Sequence, residues 1–147
     1  MKNNTLGMSL LVKTVARLTA GLILIYGFYI VLHGHIGPGG GFAGGVIISL
    51  SLIHIMLAYG KDAITTKIGR RRGIMISSAG AILFLVFVIL NSSGVIKFHT
   101  PAQGSYHVIV GAGPVPFYDI FISIMVGAGL FTLFLALVIL ITEREDQ

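Results

Sequence analysis

The chain has no cysteine and no tryptophan, and only five acidic residues among its 147. Without cysteine there can be no disulfide, thiolate metal site or thiol nucleophile, and the redox compartment is left open. The scarcity of charge says more. Charged residues make up 10% of the chain and hydrophobic residues 55%, whereas soluble domains carry about 25% charge. Water is therefore not its main solvent. The acids are also peripheral: Asp62 lies between apolar runs, Glu143, Glu145 and Asp146 lie in the tail, and Asp119 lies just before the last run. None falls at the middle of a hydrophobic stretch. An exchanger of cations for protons that works alone needs a titratable acid near mid-bilayer, and this chain lacks that part. There is no HExxH, phosphate loop or nucleophile–base constellation either, so nothing points to an enzyme, a metal centre or a cofactor.

What is present is four long apolar runs: Leu10 to Leu32, Phe42 to Tyr59, Gly73 to Leu90 and Ile120 to Ile141. Each is close to the 17–25 residues a bilayer requires. In hydrocarbon a segment must satisfy its own backbone N–H and C=O groups, which helices do and open sheets do not. The expected fold is an all-α integral membrane protein of four transmembrane helices in a single domain, residues 1–147. The first run is longer than a signal-peptide core and lacks a small-residue cleavage pattern, so it is expected to be retained as a span.

The net charge of +5 sits beside these runs. There it sets orientation and meets anionic lipid headgroups, and it does not point to nucleic acid. Lys2, Lys13, Arg17, Lys61, Lys67, Arg70, Arg71, Arg72 and Arg144 fall on one side and only Lys97 on the other. Both termini and the Arg70–Arg72 loop are expected to be cytoplasmic. Tyr26, Tyr29, Tyr59 and Tyr118 fall at the ends of spans, where aromatic anchors belong. Lys13 and Arg17, four apart, share a helix face from which both can reach headgroups or a partner.

The densest local signal is HGHIGPGGGFAGG, from His33 to Gly45. Gly39, Gly41 and Gly44 match a dinucleotide-binding GxGxxG, but that turn needs a short strand before it and a membrane helix stands there instead. His33 and His35, with His99 and His107, could ligate a metal, yet His-x-His is weak and acids to orient the imidazoles are scarce, which favours hydrogen-bonding or interfacial histidines. Pro38 stops one helix, and the glycines allow the turn into the next. Gly40 with Gly44, and Gly41 with Gly45, have the small-xxx-small spacing that admits another helix.

Inside the spans His54 is the main unusual polar residue. It reads either as a proton relay or as a neutral histidine bonded to a neighbouring helix. Ser49, Ser51, Ser77, Ser78, Ser123 and Thr132 can hydrogen-bond between helices, and Gly127 and Gly129 thin the last span for packing. Asp119 reads as a helix-terminal cap, or as a cation attractor at an outer vestibule.

The run from His33 to Gly45 between the first two spans, with the length and the four-helix pattern, resembles the B subunit of Mrp-type multisubunit Na⁺/H⁺ antiporters. The resemblance covers nearly the whole chain. It implies a multi-pass prokaryotic cell-membrane protein, partnered by other antiporter subunits, in a complex that exports Na⁺ in exchange for H⁺ and supports pH and sodium homeostasis. It also implies that larger subunits carry the principal proton-path charges. On this chain it singles out His33, His35, Pro38, Gly39, Gly40, Gly41, Phe42, Gly44 and Gly45, with no established ligand role. Two alternatives stay open. One is a purely structural assembly subunit. The other is a small independent homodimeric transporter, whose four-helix relatives depend on a first-span glutamate that is absent here.

Overall fold

The computed structural model describes residues 9–60, 69–96 and 113–145, without the side chains of Glu143 and Glu145. Helices α1 (Leu10–His33), α2 (Gly41–Tyr59), α3 (Arg70–Ser92) and α4 (Val115–Glu145) make up nearly all of them. All four are long and apolar enough to cross a membrane, α4 over Val115–Thr142. The shortest has 19 residues, about 28 Å at 1.5 Å per residue, close to the ~30 Å of a hydrocarbon core.

Two starts differ from the runs read by hydrophobicity alone. α3 begins at Arg70 instead of Gly73, and α4 at Val115 instead of Ile120. Pro114 and Pro116 look like loop residues in sequence, but the first turn of a helix needs no N–H from proline and favours its fixed φ. Asp119 is consequently inside α4, in its second turn, and is not at the entrance of that helix.

The helices lie in the order α1, α2, α4, α3: α2 packs between α1 and α4, and α3 packs chiefly against α4. The buried positions are mostly small, with Ala16, Ala20 and Gly27 on α1, Gly44, Gly45 and Ser51 on α2, and Gly73 and Gly80 on α3. Met56, Phe131 and Leu135 form the one cluster of large buried side chains among the described residues. Close approach through small residues thus holds these helices, as expected where lipid removes the hydrophobic drive for helices to associate. Leu18, Leu22, Ile25, Ile82 and Leu85 are each more than half exposed.

The α3–α4 contact follows a heptad rhythm on α3: Gly73, Ser77, Gly80, Phe84, Phe87, Asn91. Gly73 abuts the Thr132 side chain, and a methyl at Gly80 would stand 3.0 Å from the Met125 nitrogen. Ser77 Oγ donates to the Met125 carbonyl at 3.0 Å. Farther along, Phe84 and Phe87 pack on Tyr118 with ring centroids 5.7 and 5.2 Å apart. Asn91 Nδ2 donates to the Tyr118 hydroxyl at 3.0 Å. The seam is therefore narrow and glycine-lined near the start of α3 and aromatic at its end.

Candidate functional site

The turn from α1 into α2 is built around one carboxylate. Residue 40, which precedes α2, is a glycine with φ 111°, a left-handed conformation that other residues adopt only with strain. It has no side chain to cap the helix. Asp119, arriving from α4, supplies the cap: the Gly41 N–H donates to Asp119 Oδ1 at 2.8 Å. A negative charge at a helix N-terminus is favoured by the unpaired N–H groups and by the helix dipole.

The glycines make the room. A methyl at Gly34 would stand 2.7 Å from Asp119 Oδ2 and run into the Gly40 Cα, and one at Gly41 would run into the Asp119 carbonyl. One turn on, a methyl at Gly44 would strike Val31, and one at Gly45 would lie 2.9 Å from the Ser123 carbonyl. Gly44 therefore faces α1, while Gly41 and Gly45 face α4. The packing face expected from the spacing is in fact two faces, which seat α2 between both neighbours. Ser51 extends the α1 side, its buried hydroxyl donating to the Ala20 carbonyl at 2.8 Å. Pro38, Gly39 and Phe42 lie exposed on the rim of the turn.

The histidines have separate surroundings. His33 is exposed, stacked on Tyr29 with ring centroids 4.1 Å apart, and its Nδ1 lies 3.1 Å from the Tyr29 carbonyl. A carbonyl only accepts, so Nδ1 carries the proton and Nε2 keeps its lone pair in the neutral ring. His35 has both ring nitrogens buried without a hydrogen-bond partner among the described residues, an arrangement that buried polar groups normally avoid. His54 is half-buried on α2. It lies nine residues from Gly45, half a rotation round the helix at 100° per residue, and so on the side away from α4. It is also about 20 Å along the helix from Gly41, so the structure does not bring it to the turn that holds His33, His35 and Asp119. His99 and His107 lie outside the described residues. Among the described residues no three His, Asp or Glu side chains group as metal ligands would.

Of the hydroxyls read as cross-helix donors, Ser51 and Ser77 act so. Ser123 and Thr132 donate instead to carbonyls of their own helix, Ile120 and Ala128, and the buried Ser49 Oγ has no partner among the described residues. Ser78 is exposed. Two features escaped the sequence reading. The Asp119–Gly41 bond spans 78 residues and leaves no local signature. The other is a clasp at the far end of α2, where Lys13 Nζ and Arg17 Cζ stand 5.8 and 5.6 Å from the centroid of the Tyr59 ring. Their i, i+4 spacing was visible, but the ring beneath them was not.

Chemically, the turn offers one carboxylate already engaged by an N–H, one imidazole with unused hydrogen-bonding capacity and one exposed imidazole. A cleft of about 170 Å³ lies beside His33, lined also by Tyr29, Ile36 and Pro38. Carboxylate and imidazole groups bind protons and cations, and among the described residues the turn contains no nucleophile–base pair.

Comparison with known proteins gives a family. The family described as "Domain related to MnhB subunit of Na+/H+ antiporter" matches residues 11–132. The B subunit of the Na⁺/H⁺ antiporter of Bacillus subtilis (strain 168) is 46% identical over 50 residues, 34% of this chain and 35% of that protein. A Staphylococcus aureus (strain Newman) protein that bears the name antiporter subunit mnhB2 is 33% identical over 93 residues, 59% of this chain and 63% of its own length. The matched stretches thus span about a third and somewhat under two thirds of these relatives.

Proposed function

The chain belongs to the family of domains related to the MnhB antiporter subunit, and on that premise we propose that it is a non-catalytic membrane subunit of a multisubunit Na⁺/H⁺ antiporter that exports Na⁺ in exchange for H⁺. The match over residues 11–132 carries this reading. Physical chemistry supports it from two sides. Every acid of the chain lies outside the middle of the spans, so a coupled exchanger would need carboxylates from elsewhere. The large apolar side chains point mostly outward, which suits helices that pack against other subunits and lipid.

In this proposal the partners are the remaining antiporter subunits, the location is the prokaryotic cell membrane, and both chain ends face the cytoplasm, as the bias of Lys and Arg indicates. The turn holding His33, His35 and Asp119 then faces outward, and these side chains contribute to the outer part of the ion path. His54 lies toward the inner half of α2 and serves as a relay there. The glycine run from Pro38 to Gly45 sets the geometry on which they depend. A purely structural role is the second reading, and the bond from Gly41 to Asp119, which joins two helices, favours it for that one residue.

The test is Na⁺-dependent dissipation of ΔpH in everted vesicles from a host lacking its own exchangers. This chain alone, its neighbouring subunits alone and the full set are compared. Activity is expected only with the full set. Exchange by this chain alone would overturn the subunit reading, and full exchange without it would leave it no part in transport.

A further inference from the structure

The bond from Ser51 Oγ to the Ala20 carbonyl marks the line along which α2 faces α1. Three residues on, His54 is turned about 60° to one side of that line, while Ile48 and Leu52 are turned about 60° and 100° to the other. Ile48 and Leu52 look, with Phe28, onto one cavity. Thr19, nine residues before Phe28, is half a rotation from it on α1. His54 and Thr19 therefore share the side of the α1–α2 pair that is turned from the cavity. They also share a depth. Gly44 approaches the Gly27 carbonyl and Ser51 the Ala20 carbonyl, and in that antiparallel register Thr19 is about 3 Å along the axis from the residue level with His54.

His54 stands about 6 Å past the midpoint of α2. Both it and Thr19 are half-buried, and neither has a hydrogen-bond partner among the described residues. The neighbouring Leu50 and Leu57 are each more than half exposed, so the ring sits as a polar island on an apolar face. Hydrocarbon offers it neither donor nor acceptor. Ionisable side chains within spans face a bundle interior or a water-filled cavity. Here the ring is turned out of its own bundle, and the interior it faces is one that another chain completes. The spacing gives the shape of that chain. Ile47, Leu50, His54 and Leu57 follow one another at intervals of three, four and three residues, the a and d rhythm of a seam between helices, where a single polar residue fixes register and partner. What this chain lacks gives the chemistry. Its net charge is +5 and none of its five acids lies mid-span, whereas coupled exchange needs a carboxyl near that depth, and a carboxyl is the complement of an imidazole N–H.

We infer that the exposed side of α2 is a subunit interface at which His54, with Thr19 beside it, hydrogen-bonds a carboxyl side chain on a transmembrane helix of a neighbouring subunit. The inference rests on the antiporter-subunit reading and names the partner of His54 within it.

The experiment uses the full chain, tagged, in the assembled complex, with each subunit identified by mass. Benzoylphenylalanine in place of Leu50 or Leu57 should cross-link on illumination to one neighbouring subunit, through a transmembrane segment that carries Asp or Glu within about one turn of the attachment point. His54→Leu should lower retention of that subunit on the tagged chain about fivefold, the effect of one interhelical hydrogen bond. His54→Asp should lower it further, because two carboxylates repel, and His54→Lys should keep most of it. Circular dichroism of each variant chain confirms that its helices persist. Cross-links to lipid alone, to a second copy of this chain or to a segment without an acid would overturn the inference, as would equal retention in the Leu, Asp and Lys variants. The two readings fail separately. Loss of the cross-link and of the charge order from a complex that still exchanges Na⁺ for H⁺ sinks the His54 interface alone, whereas a wild-type chain that retains no neighbouring subunit sinks the subunit reading and the interface with it.

Discussion

Replacing the Asp119 carboxyl by an amide leaves an oxygen to accept from the Gly41 N–H but removes the charge. The expected cost is that of one carboxylate at a helix N-terminus, about 0.3–1 kcal/mol. Asp119→Ala removes the acceptor as well and leaves a buried donor unpaired, for about 1–3 kcal/mol. Thermal unfolding in detergent should therefore rank wild type above Asp119→Asn, and that above Asp119→Ala. Equal stability of all three would mean that the bond holds nothing. If Asp119 also lies on the ion path, Asp119→Asn in the assembled antiporter loses Na⁺-dependent proton exchange while the complex stays intact, whereas retained exchange makes the residue a cap and nothing more.

Between α1 and α2 the joining device changes along the length of the pair. At one end glycines allow backbones to approach, in the middle Ser51 bonds to Ala20, and at the other end Lys13 and Arg17 lie over Tyr59. Each cation–π contact at a partly exposed site is worth about 0.5–1 kcal/mol. Tyr59→Phe keeps the ring and should unfold within error of wild type, while Tyr59→Leu should lose about 1–2 kcal/mol from the two contacts together. Thermal unfolding monitored by helical circular dichroism decides it, and a Tyr59→Phe variant as weak as Tyr59→Leu would assign the stabilisation to the hydroxyl. α3 behaves differently: with one seam and otherwise exposed apolar sides, it depends on α4 for its position.

At the scale of the molecule, all four helices carry exposed large apolar side chains, an amount of apolar surface that a soluble monomer could not sustain. Its orientation is testable because the chain has no native cysteine to react. Gly37 is exposed, and a methyl added there would meet nothing within 4 Å, so Gly37→Cys should be tolerated. It should react with a membrane-impermeant maleimide in intact cells, and Asn4→Cys should react only after the membrane is opened. The reverse pattern would invert the orientation drawn from the basic residues.

Composition, the four apolar runs and the glycine spacing were readable directly, because membrane insertion depends on summed hydrophobicity and helix packing on residue size at fixed intervals. Both are one-dimensional properties. The starts of α3 and α4 were less legible, since Arg and Pro at a helix's first turn look like loop residues to a hydrophobicity count. The capping of α2 by Asp119, the divergence of Gly44 from Gly41 and Gly45 onto different neighbours, and the seating of two cations on Tyr59 were decided only by tertiary structure. Each depends on which helix lies beside which. That order is set by the shapes of facing surfaces distant in sequence, and no local pattern encodes it.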